Sequence, residues 1–470
     1  MILPDSFVEN MHRMLGDSCQ PVLDAIADEP EISIRLNPQK VKATLELDVV
    51  PWASYAYYLP ERLPFTFDPL FHAGCYYVQE ASSMFLEQVI RQYVTTPVTA
   101  LDLCAAPGGK STLLRSLLPD GSLLVSNELI PNRAQVLEEN IIKWGHPDCV
   151  VTNNKPTDFA MYSGMFDIIA ADVPCSGEGM FRKDSVAIAE WSESNVETCW
   201  RRGREIIAGC WPSLKTGGLL VYSTCTFNQK EDEENVLWIC DELGAEVLPL
   251  QTHSDWGITG NLMNETPICE SSFPVYHFFP GRTRGEGFFL AVLRKTAESC
   301  ALSIPTEKKK KSRAEDSLAI TKECRNWLKE TEQFEWRIKG NIINVIPTPH
   351  KNIISALERN LHVIYAGINI AELKGNAPLP AQELAYSTYI NKEAFDTCPI
   401  SYDEALKFLR KESFTLPSIY SRGVILITYQ DIPLGFVKNL GNRANNLYPS
   451  EWRIRTTHLS EKEVNVLHNI

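Results

Sequence analysis

Between residues 98 and 243 the chain alternates short apolar runs with longer stretches in which apolar positions return every three or four residues. The runs fall at 98–103 (VTALDL), 123–126 (LLVS), 149–152 (CVVT), 166–171 (FDIIAA) and 218–223 (GLLVYS). Runs this short, and continuous rather than alternating, predict strands buried on both faces of a parallel sheet. The periodic stretches at 112–118, 131–144, 185–214 and 228–243 predict the helices that cover such a sheet. Pro131 suits a first helical turn, and the acidic residues opening the fourth stretch suit a helix N-terminus. The pattern predicts an α/β domain over residues 96–296, with ligands at the carboxyl ends of its strands.

The flanks read differently. Residues 1–95 mix helical patches with an extended segment, SIRLNP at 33–38, and predict an N-terminal α+β subdomain. At 306–316 (TEKKKKSRAED) like charges crowd and apolar side chains almost vanish, which predicts a linker, taken as 297–318. A C-terminal region, 319–470, follows.

Composition narrows the class. With 470 residues the chain has room for two to four domains, at about 100–200 residues each. Hydrophobic residues at 44% and charged residues at 22% exclude a disordered, collagenous or coiled-coil chain. The net charge of −14 argues against a histone-like polyelectrolyte, yet a local basic surface still suffices for nucleic acid. Pro4, Asp5 and Glu9 interrupt the start of the chain, so no secretory signal is expected, and no apolar run is long enough for a membrane span. The 13 cysteines include no C-x-x-C pair, and the histidines, His72 and His146 among them, form no ligand-like cluster. The expectation is a cytoplasmic protein with reduced thiols, no metal and no membrane contact.

Candidate chemistry follows the apolar runs. After the first comes Cys104-Ala105-Ala106-Pro107-Gly108-Gly109-Lys110-Ser111, whose small residues let backbone approach a ligand at a helix N-terminus. A phosphate-binding P-loop would need glycine where Cys104 stands, and the G-x-G-x-x-G dinucleotide spacing is absent. After the second run stands Glu128, placed to accept hydrogen bonds from a ribose diol. A glycine loop and an acid without a pyrophosphate fingerprint predict S-adenosyl-L-methionine.

The fourth and fifth runs each lead to a cysteine, Cys175 beyond Asp172 and Cys225 beyond Thr224. A lone cysteine at a strand end is usually an inert small residue; two at one sheet edge with an aspartate suit a specific reaction. Carbon 5 of cytosine is a poor nucleophile, but thiolate addition at carbon 6 turns the ring into an enamine that can attack a sulfonium methyl. An acid near ring nitrogen 3 would stabilise the charge formed, and a base must then remove the carbon-5 proton.

The motifs CAAPGGKS, Asn127-Glu128, DVPCSGEGMFRKD at 172–184, YSTCTF at 222–227 and RGEGFF at 284–289 together resemble the Sun-type RNA (cytosine-5)-methyltransferase family. SIRLNP and VQEASSM at 78–84 match the family's segments ahead of the fold, and AGI at 366–368, ELK at 372–374, LGFVK at 434–438 and GNRANNLYP at 441–449 look like the C-terminal extension of its bacterial 16S ribosomal RNA members. The resemblance implies a Rossmann-like class I methyltransferase with a C-terminal PUA-like, β-rich, RNA-binding region. It implies Cys225 as nucleophile, Cys175 in resolution of the adduct, and Asp172 at the target cytosine beside the cofactor. It implies Cys104, Ala105, Ala106, Pro107, Gly108, Gly109, Lys110 and Glu128 as cofactor contacts, to which Arg133 is added. Where the family often has an acid near adenine this chain has Lys155, and Asn154 is expected to take that contact, with Asp158 as the alternative.

Arg182 and Lys183, just past the Cys175 loop, are expected to hold RNA backbone beside the target base. The target must leave its stack to reach Cys225, so base flipping is implied. The expected reaction is methylation of carbon 5 of a cytosine in RNA, with small-subunit ribosomal RNA as the expected substrate. Two other readings stay open from residues alone: an exocyclic-amine methyltransferase, which needs no thiol, and a noncatalytic RNA-binding assembly factor.

Overall fold

The computed structural model describes residues 2–263, 273–298, 321–375, 377–413, 415–456 and 463–467. The linker expected at 297–318 lies outside the described residues except for its first two positions. Near the N-terminus, β1 (Ile32–Leu36), β2 (Ala56–Leu59) and β3 (Tyr76–Val78) form an antiparallel sheet in the order β2-β1-β3. Arg35, on β1, is buried and turns toward the next domain. It donates to Gln79 Oε1 at 2.9 Å and Thr112 Oγ1 at 2.7 Å, and lies 4.6 Å from the Trp144 ring centroid. Burial lowers its pKa to about 9.

The central sheet is built as the apolar runs predict. Strands β4 (Thr99–Asp102), β5 (Leu123–Asn127), β6 (Cys149–Thr152), β7 (Phe166–Asp172) and β8 (Leu214–Thr224) run parallel. Strands β9 (Ala245–Leu248), β10 (Tyr276–Phe278) and β11 (Phe288–Lys295) complete one side antiparallel. Side chains alternate between two cores. Leu101, Val125, Ile169 and Leu220 enter one, while Ala100, Leu124, Ile168 and Val221 enter the other. This is why the runs read as continuously apolar.

Two predicted helices differ. The 185–214 stretch divides into helices Ser185–Glu190 and Glu193–Cys210. Ser192 caps the second by accepting from Asn195 N at 3.1 Å, and buried Trp191 at the break donates to Glu178 Oε1 at 3.0 Å. The fourth helix starts at Glu233, later than expected, because residues 228–232 form a buried loop beside the strand ends.

Beyond residue 321, β12 (Phe334–Lys339), β13 (Ile342–Pro347), β14 (Val363–Ala366), β15 (Ile368–Lys374) and β16 (Ala377–Pro380) follow. Strand β14 pairs antiparallel with β6 and extends the central sheet to the order β10-β11-β8-β7-β4-β5-β6-β14. The other four make a sheet of their own, and β17 (Asp396–Pro399), β18 (Gly423–Tyr429), β19 (Ile432–Asn439) and β20 (Ala444–Asn446) make a second. The molecule is thus a Rossmann-like α/β domain with α+β and β-rich flanks. Among the described residues no helix is long and apolar enough to cross a membrane.

Gly367 is the turn between the shared sheet and the small one. Its φ is +73°, and an added Cβ would collide with the Val345 carbonyl. Gly367→Ala is expected to lower unfolding free energy by about 2 kcal/mol or more, the scale of left-handed strain plus a backbone clash; a urea melt measures it, and an unchanged midpoint would contradict the turn's role.

Candidate active site

The carboxyl ends of β4, β5, β7 and β8 bring their loops to one edge. From β4, the loop 104–108 is pinned by its neighbours: Ala105 N donates to Asn127 O at 2.8 Å, Arg133 Nη2 to Ala106 O at 2.9 Å, and Asn140 Nδ2 to Pro107 O at 2.8 Å. Gly108 has φ +117°, which excludes other residues, and an added Cβ would lie 3.3 Å from the Asn140 Cβ. Helix Gly109–Leu117 begins there with its amides directed at the cleft edge. Asp102 is buried, accepts from Ser111 Oγ at 2.6 Å through Oδ2, and leaves Oδ1 without a protein partner. Burial pushes its pKa up to about 7. At the end of β5, Glu128 accepts from Ile130 N at 2.9 Å, and Arg133 stands 3.7 Å from its other oxygen. A glycine-only cradle, an acid with an open acceptor and a carboxylate at the next strand end fit the amino-acid and ribose parts of S-adenosylmethionine.

Lys110, expected at the cofactor, donates to Asp172 Oδ2 at 2.8 Å, and Ser223 Oγ donates to Oδ1 at 2.8 Å. Burial would lower the Lys110 pKa, but Asp172 outweighs it and the net shift is upward, so Lys110 is a cation. Asp172 is thereby fixed in orientation at the end of β7. Beyond it the Cys175 and Cys225 sulfurs lie 3.2 Å apart, both half-buried. The hydrogen bond to Cys225, then burial, raise the Cys175 thiol well above its ordinary value. Cys104 shares this edge but is held neutral, first by burial and then by Asp172, Asp102 and Glu128. Among the described residues no cluster of His, Cys, Asp and Glu could hold a metal ion.

Several of the expected contact residues have protein partners of their own. Arg182 grips Glu286 through two 2.9 Å hydrogen bonds and donates to Gly285 O at 3.1 Å, with the pair only 6% and 2% exposed. Lys183 leans on the same carboxylate at 3.4 Å. Asn154 does not present a free amide to adenine, because Nδ2 donates to His362 O at 3.2 Å and Oδ1 accepts from His362 N at 3.0 Å. Asp158 is likewise engaged, accepting from Lys155 N at 3.0 Å. Arg133 braces the glycine loop through Ala106 O. Residues that sequence reasoning missed are Arg35, Asp102 and the buried carboxylates Glu178 and Glu231 behind the sulfurs. For Arg35, Asp102 and Glu178 the only signal is a charge set among apolar or small residues, and Glu231 is hidden in the charged run 230–234.

Two measurements test this site. Arg182→Ala removes both guanidinium hydrogen bonds from buried Glu286 and leaves it only the longer Lys183 contact, so it is expected to cost up to about 3–5 kcal/mol of stability, read in a thermal or urea melt; a shift below 1 kcal/mol, roughly the worth of an exposed pair, would return Arg182 to the surface. Asp102 takes up a proton on folding, so its contribution to stability is present at low pH and is lost as pH rises from about 4 to about 7. In Asp102→Asn that decline should be shallower by up to one proton; parallel stability profiles for the two proteins would contradict the raised acid.

Comparison with known proteins agrees with this geometry. Residues 95–294 match the family model described as 16S rRNA methyltransferase RsmB/F, residues 3–81 the N-terminal domain of 16S rRNA methyltransferase RsmF, and residues 395–454 the methyltransferase RsmF PUA domain. The ribosomal RNA small subunit methyltransferase F of Citrobacter koseri is 30% identical over 476 residues, 95% of this chain and 96% of that protein. The Escherichia coli K12 protein of the same name is 30% identical over 479 residues, again 95% and 96%. Among solved structures, a methyltransferase homolog from Pyrococcus horikoshii shares the fold with a TM-score of 0.53 at 24% identity, covering 62% of this chain and 95% of that one. NSun6 of the same organism gives 0.51 at 18%, covering 63% and 99%. The chain belongs to the RsmF family of 16S ribosomal RNA methyltransferases, and is an S-adenosylmethionine-dependent enzyme.

Proposed function

We propose that this protein methylates carbon 5 of a cytosine in small-subunit ribosomal RNA through a covalent Cys225–carbon 6 adduct that Cys175 helps to release. The observation that carries the reading is the pair of sulfurs 3.2 Å apart beside an oriented Asp172. An exocyclic amine attacks a methyl donor directly and needs neither sulfur, so that alternative leaves the pair unexplained. Names of the relatives, family membership and the PUA match support the RNA substrate, and the free cysteines support action in the cytoplasm.

The proposed reaction needs one thiolate beside one protonated thiol, which leaves one negative charge on the pair. With Cys175 holding its proton, the charge resides on Cys225, whose thiolate adds to carbon 6 and forms the C–S bond. Asp172, set by Lys110 and Ser223, accepts from the ring's amino group, and the Lys110 ammonium beside it offsets the negative charge that addition develops on the ring. When bound, S-adenosylmethionine supplies an electrophilic methyl group, which carbon 5 takes up. Once the Cys225 charge has passed into the C–S bond, the repulsion that kept Cys175 protonated is gone. Cys175 then loses its proton to solvent and takes the carbon-5 proton. The C–H electrons restore the 5,6 double bond, the C–S bond breaks, and Cys225 leaves as thiolate. One proton is released per methyl transferred. Glu128 and the 104–110 loop hold the donor, and Lys183, with its amine half-exposed, is retained as an RNA backbone contact.

The test compares wild type, Cys225→Ala and Cys175→Ala on 16S ribosomal RNA and small-subunit particles with labelled donor. Cys225→Ala should lose transfer by roughly a thousandfold or more and form no adduct, whereas Cys175→Ala should accumulate one. Full activity in Cys225→Ala would move the enzyme to exocyclic-amine chemistry.

A further inference from the structure

Behind the sulfurs lies a buried polar knot that the reaction described above does not use. Glu178 belongs to the Cys175 loop, yet its Oε2 accepts from Thr226 Oγ1 at 2.7 Å and Phe227 N at 2.9 Å, both just past Cys225. Glu231 follows Cys225 in the chain, yet its Oε2 accepts from Ser176 N at 2.9 Å, next to Cys175. Each carboxylate therefore reaches from one cysteine's segment to the backbone of the other's. Their second oxygens are also engaged, Glu178 by Trp191 Nε1 at 3.0 Å and Glu231 by Asn228 Nδ2 at 2.8 Å. Ser176 Oγ and Thr226 Oγ1, 3.0 Å apart, close the ring, and Gly179 N donates to Cys225 O at 2.9 Å.

We infer that Glu178 and Glu231 are positioning residues of the methyl transfer, a reciprocal clasp that fixes the Cys175 sulfur against the Cys225 sulfur. Both are fully buried, where an ionisable group is retained only when its partners require an acceptor. The partners here are donors, two of them backbone N–H groups, and a carboxylate offers acceptors on both oxygens while a carboxamide offers one. Burial raises the Glu231 pKa to about 7, which marks how closely its environment balances charge against desolvation.

The two arms act on different steps. Glu231 holds the Cys175 side, and Cys175 acts in release. Glu178 holds the residues after Cys225, and Cys225 acts in addition. The inference rests on the two-thiol reading and is tested alongside it. In the full-length enzyme on 16S ribosomal RNA, adduct formation and adduct release are timed separately for Glu231→Gln, Glu178→Gln and Cys175→Ala, with circular dichroism and a melt on each. Glu231→Gln should slow release about tenfold or more, the scale of one charge-assisted hydrogen bond, with formation close to wild type. Glu178→Gln should slow formation by a similar factor. Thr226→Val, which deletes one hydroxyl from the Glu178 arm and changes little volume, should reproduce the formation defect if Glu178→Gln fails to fold. Equal slowing of both steps in Glu231→Gln, or unchanged release, overturns the clasp. If Cys175→Ala itself releases adduct at the wild-type rate, the two-thiol reading falls, and the clasp with it.

Discussion

The site depends on the parallel pairing of β7 with β8. Its register sets Ala171 opposite Tyr222 and Asp172 opposite Ser223, so both chains leave the sheet at one level and their cysteines meet. Residue spacing along a strand is about 3.3 Å, close to the gap between the two sulfurs, and a slip of one residue would also turn every side chain to the other face. Alternation between two separate cores makes that slip costly, because Ile169 and Leu220 would leave one core and Ile168 and Val221 the other. The hydrophobic pattern therefore fixes the register that brings the two cysteine loops together, and polar contacts refine it.

Strand β8 is held from its far side as well, where Phe289 of β11 pairs with Thr224. The segment leading into β11 passes Gly179 so closely that a Cβ at Gly287 would stand 2.5 Å from the Gly179 Cα. This contact explains glycine at both positions, and it lets Glu286 reach Arg182 beneath the Cys175 loop. The C-terminal region is tied to both earlier parts of the chain. Strand β14 joins the sheet edge at β6, and Val466 N donates to Asp68 Oδ2 at 3.1 Å in the N-terminal subdomain. The β-rich region thus stands at a set distance from the sulfurs, so RNA bound there would meet the cleft in one orientation.

The sequence made the elements of the sheet and the catalytic loops readable because both follow from local pattern: apolar runs of strand length, then small residues, acids and thiols directly behind them. What stayed hidden is the fate of each charge. Arg35, Glu178, Arg182 and Glu231 look like surface residues in a one-dimensional string, and only partners 44 to 104 positions away make them buried. The broken 185–214 helix has the same origin, since Trp191 leaves helical geometry to reach Glu178. Asn154 is expected at adenine only through resemblance to a family position, and its partner in the structure, His362, lies 208 residues further on.

These internal pairings bear on how an acidic chain handles RNA. Around the cleft, Lys110 is matched by Asp172, Arg182 by Glu286, and Arg284 by Glu31 and Asp48. A matched cation contributes little to long-range attraction of phosphate. In the two-thiol mechanism proposed above such matching also matters, because unmatched cations beside the sulfurs would lower both thiol pKa values. A net charge of −14 is compatible with an RNA substrate through a local basic surface, and these pairings leave little of that surface beside the sulfurs.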